Sequence, residues 1–548
     1  MSASESTQLK ACRPCSKAKV RCDPGPSVAC QRCHRLGKDC IKQAPRFHKL
    51  KHNNMSYVDV GRLERKLDNV TSLLTASRRY AEGINSHANV ASPAREVVWV
   101  SEPSDQETED MLKAFHQSMA LFFPFLVRSP SLTAHDLRTQ KPLLRLVIPV
   151  IFYKNVSSQQ AHAVKSREYW MEQLLVKGEH GLDLFQGLLM FIGWTQLTLP
   201  MPRVTLVNNY LHLLEAQVNN LDFRGDSKSG MTGSVFSYLK DFGLDERLRD
   251  SRTLEELRAY LGCFYLVTMV SLCLDEKDPM RYTDYTEECC RAVEAAAEFE
   301  SDKHLIQLVR IAQMAAKIHR TLNRHEIDVP NGSASTAMII RLLQKDMQQL
   351  RDSLTCEFPQ SAIVFLHYHT LELMIYRTAM TKLLHDHPIP QIDVLCACVE
   401  ATKSFFDTFF TIPSHLYLQL PYTIWVQLGH GLAILSRILI HSDPRGNWDR
   451  EYARQRLNFD ATADTFGLKV EEAISQAAAE DIEMPPIFTQ IKNRVVMWKE
   501  GHAARCATLD RWNQDQPQAI APGMDELIPD VDVDDMLMTG SIWNFFSL

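Results

Sequence analysis

The sequence predicts a mainly α-helical protein, with a small metal-stapled head, a short coiled coil and one large all-α body, plus disordered linkers and an acidic tail. Three observations predict it. Six of the 14 cysteines fall between Cys12 and Cys40 in a strongly basic stretch. Val60, Leu63, Leu67, Val70 and Leu74 recur at alternating steps of three and four, the seam of a coiled coil. From about Thr108 to Arg511 the apolar residues follow helical spacing and strand-like alternation is scarce.

In chain order the expected units are a disordered start (1–9), the cysteine head (10–42), a basic linker (43–58), a dimerising helix (59–80), a second linker (81–106), the helical body (107–511) and the tail (512–548). At 548 residues the chain exceeds what one core usually holds, so a small site beside a large body is reasonable. The net charge of -6 would argue against nucleic acid if it were evenly spread. It is not: between Lys10 and Lys51 twelve Lys and Arg residues meet only Asp23 and Asp39, whereas beyond Arg511 seven acidic residues meet no Lys or Arg. Opposite ends of opposite sign suggest two different partners.

The opening MSASESTQLK lacks the apolar core of a signal peptide, so the cysteines are expected to stay reduced. The apolar runs Leu261 to Leu274 and Leu182 to Trp194 fall short of the roughly 18–20 residues that cross a bilayer and read as buried core helices. No membrane partner is expected.

Cys12, Cys15, Cys22, Cys30, Cys33 and Cys40 are spaced C-x2-C-x6-C-x7-C-x2-C-x6-C, two copies of one half-pattern. Soft thiolates in a reducing cell favour zinc, which takes four ligands. Two closed tetrahedral ions need eight ligand positions, so six sulfurs suffice only if two of them bridge. One zinc with two spare cysteines, or a redox or iron–sulfur site, are the alternatives; neither accounts for the duplication or for the basic residues threaded through it.

This spacing resembles that of the fungal Zn2Cys6 binuclear-cluster transcription factors. The resemblance implies two zinc ions per chain, bridged by Cys12 and Cys30, with Cys15 and Cys22 completing one ion and Cys33 and Cys40 the other. It implies a short helix carrying Lys17, Lys19 and Arg21 into the major groove, with Lys19 reading a CGG-type triplet. The chain departs from the family pattern at Ser16 and Ala18, where basic residues are common, which shifts weight to Lys17. Arg32, Arg35 and Lys38 are expected to hold phosphate, and Lys42, Arg46, Lys49 and Lys51 to clamp the DNA backbone and direct nuclear import. RTLEELRAYLGCFYLVTMVSLCL and GLDLFQGLLMFIGW are similar to the helical middle region of these regulators.

The remaining cysteines sit in apolar helical surroundings and read as core residues. The pairs His367/His369 and His385/His387 read as polar helix faces or termini, without a carboxylate partner to make a metal site. No phosphate loop, dinucleotide fingerprint or nucleophile elbow is present, so no enzyme is expected. The expected partners are double-stranded DNA, a second copy of the chain, and transcription co-activators engaged by the acidic–apolar tail.

Overall fold

The computed structural model describes residues 12–18, 20, 22–23, 29–40, 102–118, 120, 122–126, 133–198, 204–221, 252–274, 278–324, 336–354, 360–382, 388–441 and 448–515. The chain divides into two compact units, residues 1–97 and 98–548. In the first, helices α1 (Arg13–Lys17) and α2 (Gln31–Arg35) pack against each other. The heptad positions Val60, Leu63, Leu67, Val70 and Leu74 lie outside the described residues, as do Cys356, His385 and His387.

The second unit holds α3 (Asp105–Ser118), α4 (Ala134–Gln140), α5 (Pro142–Phe152), α6 (Val156–Met171), α7 (Leu182–Gly193), α8 (Thr195–Thr198), α9 (Val204–Asn220), α10 (Leu254–Leu274), α11 (Asp284–Ala296), α12 (Ser301–Arg324), α13 (Thr336–Ser353), α14 (Gln360–Lys382), α15 (Pro388–Phe410), α16 (Tyr422–Ile440), α17 (Arg450–Arg456), α18 (Phe459–Ala479) and α19 (Pro486–Asp515). No strand occurs among the described residues. Several starts are fixed by local sequence. Ser104 with Glu107, and Thr253 with Glu256, form reciprocal caps: each hydroxyl accepts from the backbone N–H three residues on, and each carboxylate accepts from the cap N–H at 2.8 Å. The second of these launches α10.

α10 is the axis of the body. Every residue from Leu257 to Leu274 is buried, because α7, α9, α11, α12, α16 and the 3-10 turn Pro124–Leu126 surround it. The stripe that helical spacing marks in the sequence here, Leu254, Leu257, Tyr260, Leu261, Phe264 and Val267, is therefore only part of what is covered. α10, of 21 residues, is long and apolar enough to span a bilayer, its most apolar 18-residue window having mean hydropathy 1.7, so run length alone does not mark it as a core helix; the complete burial of that window does. The corresponding window of the 19-residue α16 has mean hydropathy 1.4 and is 89% buried in the same body. The packing needs Gly262, since a Cβ there would lie 2.6 Å from Phe125 Cβ and 2.9 Å from Leu189 Cδ2.

A helix covered on all sides must pair its polar groups inside. Arg258, 2% exposed, donates from Nε and Nη2 to the two carboxylate oxygens of Asp302 at 2.8 and 2.9 Å, also pairs with Glu298 at 2.9 Å, and stacks over Phe299. This fastens α10 to the start of α12. Further along, Tyr265 donates to His367 Nε2 at 2.6 Å while His367 Nδ1 donates to Gln427 at 2.9 Å, joining α10, α14 and α16. His367 is thus no polar face residue: burial pulls its pKa down to about 4 and keeps it neutral. Its neighbour His369 does have a carboxylate partner, Glu372 at 2.7 Å. Cys263, Cys273, Cys289, Cys290 and Cys398 are fully buried in the core, where burial raises the Cys398 thiol to about 12; Cys396 and Cys506 are half-buried.

Candidate metal centre and nucleic-acid interface

The head repeats itself in space at the interval at which it repeats in sequence. Positions 18 residues apart do the same things: α1 begins at Arg13 and α2 at Gln31, Cys12 N–H points at Cys22 Sγ (3.4 Å) and Cys30 N–H at Cys40 Sγ (3.2 Å). Val20 N–H donates to Cys15 C=O at 3.1 Å, and Lys38 N–H to Cys33 C=O at 3.0 Å. Each C-x2-C pair thus sits at the opening of a single helical turn whose exit is closed by the same backbone bond, and the third cysteine of each half returns to the first.

The two halves meet through sulfur. Cys12, Cys15, Cys30 and Cys33 are buried with their Sγ atoms all within 4.8 Å of one another. Cys12 lies 3.7 Å from Cys30 and 3.6 Å from Cys33, and Cys15 lies 3.6 Å from Cys30. Each of these cross-half contacts involves Cys12 or Cys30. Cys22 and Cys40, half-buried, pack against the same cluster. The separations are far beyond the roughly 2.05 Å of a disulfide. They match the edge of about 3.8 Å that Zn–S bonds of about 2.3 Å give a tetrahedron. Four sulfurs this close could hold a divalent soft cation, because as bare thiolates they would repel one another. The Cys33 N–H donated to Cys30 Sγ (3.4 Å) pulls the Cys30 thiol down to about 6, while burial pushes Cys33 up. The cluster therefore already favours deprotonation at one of its central sulfurs.

Around this centre Lys17, Arg35 and Lys38 are exposed and Arg32 is half-exposed. Lys17 and Arg35 occupy equivalent positions, the last residue of α1 and of α2. Lys19 and Arg21 lie outside the described residues. The exposed Val20 and Leu36 went unremarked in the sequence; only the structure separates them from core apolar residues.

No family model matches the chain. Among curated proteins it is 28% identical to the transcription factor opdL of Penicillium oxalicum, over 84% of this chain and 83% of that one. It is 23% identical to the transcription factor himD of Aspergillus japonicus, over 79% and 73% of the two chains, and 21% identical to the transcription factor pbcR of Emericella nidulans, over 59% and 49%. These relatives are fungal transcription factors, not enzymes, and the first two likenesses each cover more than three quarters of the chain. Together with a cysteine cluster consistent with a Zn2Cys6 head, they support a role in transcription regulation.

Proposed function

We propose that this chain is a nuclear, sequence-specific DNA-binding regulator of RNA polymerase II transcription. In this reading Cys12, Cys15, Cys22, Cys30, Cys33 and Cys40 hold two zinc ions, and the head reads a CGG-type triplet upstream of a metabolic gene set. The observation that carries it is the 18-residue duplication of the sulfur geometry, with basic side chains standing on the same frame. The zinc would be structural, six thiolates leaving no open coordination position for water. α1 is short enough to enter the major groove, and the exposed side chains of Lys17, Arg35 and Lys38 are suited to its edges and phosphates.

Base reading is assigned to Lys19. Lys19→Ala should cost about 1–3 kcal/mol on a CGG-type site and little on random DNA. Lys38→Ala should weaken both alike and flatten the salt dependence. Competition binding at several salt concentrations checks this, and equal losses on both DNAs for Lys19→Ala would remove the assignment.

The seam Val60, Leu63, Leu67, Val70, Leu74 is assigned to homodimerisation, so that two heads engage two triplets. Leu67→Asp should convert the full chain from dimer to monomer in sedimentation, because it places a charge in the seam; a wild-type chain already monomeric at micromolar concentration would contradict this. The tail is assigned to co-activator capture, its acids keeping apolar residues solvated until they meet a partner's groove. Residues 513–548 fused to an unrelated DNA-binding domain should activate a reporter, and Trp543→Ala with Phe546→Ala should silence it; a silent wild-type fusion would place activation elsewhere.

A further inference from the structure

Of the described cysteines outside the head, all but one are buried in the core or flanked by acids. Cys263, Cys273, Cys289, Cys290 and Cys398 are buried, and burial raises the thiols of Cys289 and Cys290 to about 12 and about 11. Half-buried Cys396 stands near Asp393 and Glu400, whose charges add to burial in pushing its thiol up. Cys506, also half-buried, has neighbours of the opposite kind. Its sulfur lies 3.6 Å from Nε2 of His502, one turn back on α19. His502 Nδ1 lies 3.0 Å from Ser436 Oγ of α16, and Arg505 donates from Nη2 to the same oxygen at 3.1 Å. Phe459, the first residue of α18, stacks on the imidazole with centroids 4.3 Å apart and holds its plane.

The geometry points to Cys506 as a reactive thiolate and a site of two-electron oxidation by hydroperoxides, set up by the line Arg505, Ser436 and His502. Hydrogen-bond direction decides this. A guanidinium only donates, so Ser436 Oγ accepts from Arg505. Ser436 is fully buried and has no other acceptor for its own proton among the described residues, so it donates to His502 Nδ1. Burial, with the charge of Arg505, holds the His502 pKa down at about 4, so the ring is neutral and carries one N–H. With Nδ1 accepting, that proton sits on Nε2 and faces the sulfur. A sulfur that receives a hydrogen bond is favoured as thiolate over thiol.

The charge of Arg505 points the same way independently. Arg505 is half-buried, its Nε is buried with no partner, and no carboxylate pairs with it among the described residues, although a guanidinium taken out of water calls for a counter-ion. Burial lowers the Arg505 pKa, and the charge of the adjoining Cys506 opposes that, so the sulfur is the anion that faces it. Of the other charges near the imidazole, Arg454 of α17 and Asp460 of α18 oppose each other. The oxidation balances with the peroxide alone. The thiolate attacks the terminal hydroxyl oxygen, an S–O bond forms as the O–O bond breaks, and sulfur gives two electrons to the departing oxygen. That oxygen leaves as hydroxide or alkoxide and takes a proton from solvent, and the sulfur is left as a sulfenic acid.

Cys396 is the internal standard. Iodoacetamide at neutral pH on the full chain, read by peptide mass spectrometry, should alkylate Cys506 about tenfold faster than Cys396, the difference in thiolate content that one pKa unit makes. Arg505→Met and Ser436→Ala should each slow Cys506 and move the midpoint of its pH–rate profile upward. Buried Cys398 should stay unlabelled throughout and reports an intact core. Hydrogen peroxide followed by dimedone should place the sulfenic-acid adduct on Cys506 and not on Cys396. Equal alkylation of Cys506 and Cys396, or a midpoint that neither substitution moves, would overturn the thiolate. Fast alkylation with no dimedone adduct after peroxide would overturn the oxidation. If Cys398 becomes labelled in a variant, that chain has lost its core, and the comparison of Cys506 with Cys396 in the unsubstituted chain decides by itself.

Discussion

If the head holds two zinc ions as proposed, Cys30→Ala is expected to leave the full chain without either of them and to reduce its DNA affinity to the sequence-independent level, a loss of about a thousandfold or more on a specific site. Cys30 lies within 3.7 Å of both Cys12 and Cys15 and accepts the Cys33 N–H, so it is, with Cys12, one of the two sulfurs through which the halves meet. Structural zinc contributes roughly 10–16 kcal/mol in small metal-folded modules, and a head of this size has no other core to fall back on. Cys40→Ala, by contrast, removes a sulfur at the edge of the cluster and should leave one ion in place. Native mass spectrometry of the two variants, with competition binding on specific and random DNA, separates these results; a Cys30→Ala chain that retains two zincs rules out the shared cluster.

The helical body has its own single point of failure. Arg258→Met should destabilise it by about 3–5 kcal/mol, because Asp302, 2% exposed, would lose the guanidinium that pairs with it. The companion Arg258→Met with Asp302→Leu should recover most of that loss, since the cost comes from the uncompensated carboxylate and not from the missing pair. Denaturant midpoints followed by far-ultraviolet circular dichroism provide the comparison. A double variant as unstable as the single would mean that Arg258 acts through packing over Phe299 or through Glu298 instead.

The two regions differ in how much of them was legible beforehand. The head carries its geometry in its spacing: C-x2-C places two sulfurs on one helical turn, and repetition after 18 residues reappears as repeated backbone bonds to Cys22 and Cys40. Such information is local and survives in one dimension. In the body, helical class and several starts were equally local, as at Thr253 and Glu256. What could not be read was which faces are covered. Periodicity reports a boundary between core and water, and α10 has none, so its stripe understated its burial. His367 was misjudged for the same reason: its partners Tyr265 and Gln427 are 102 and 60 residues away, and nothing in HYH announces them.

The burial of α10 also sets a timetable for biosynthesis. Its surroundings include α16, with Thr423 3.3 Å from the Tyr265 hydroxyl, so one wall of the core is encoded almost 150 residues after α10 itself. At ribosomal speeds of about 5–20 residues per second, α10 waits roughly 7–30 s between its own emergence and that of α16. During that interval a helix whose most apolar 18-residue window has mean hydropathy 1.7 exposes surface that the finished fold covers. Output of the regulator should therefore depend on how fast ribosomes traverse the stretch between α10 and α16, a sensitivity located in codons well away from the zinc head.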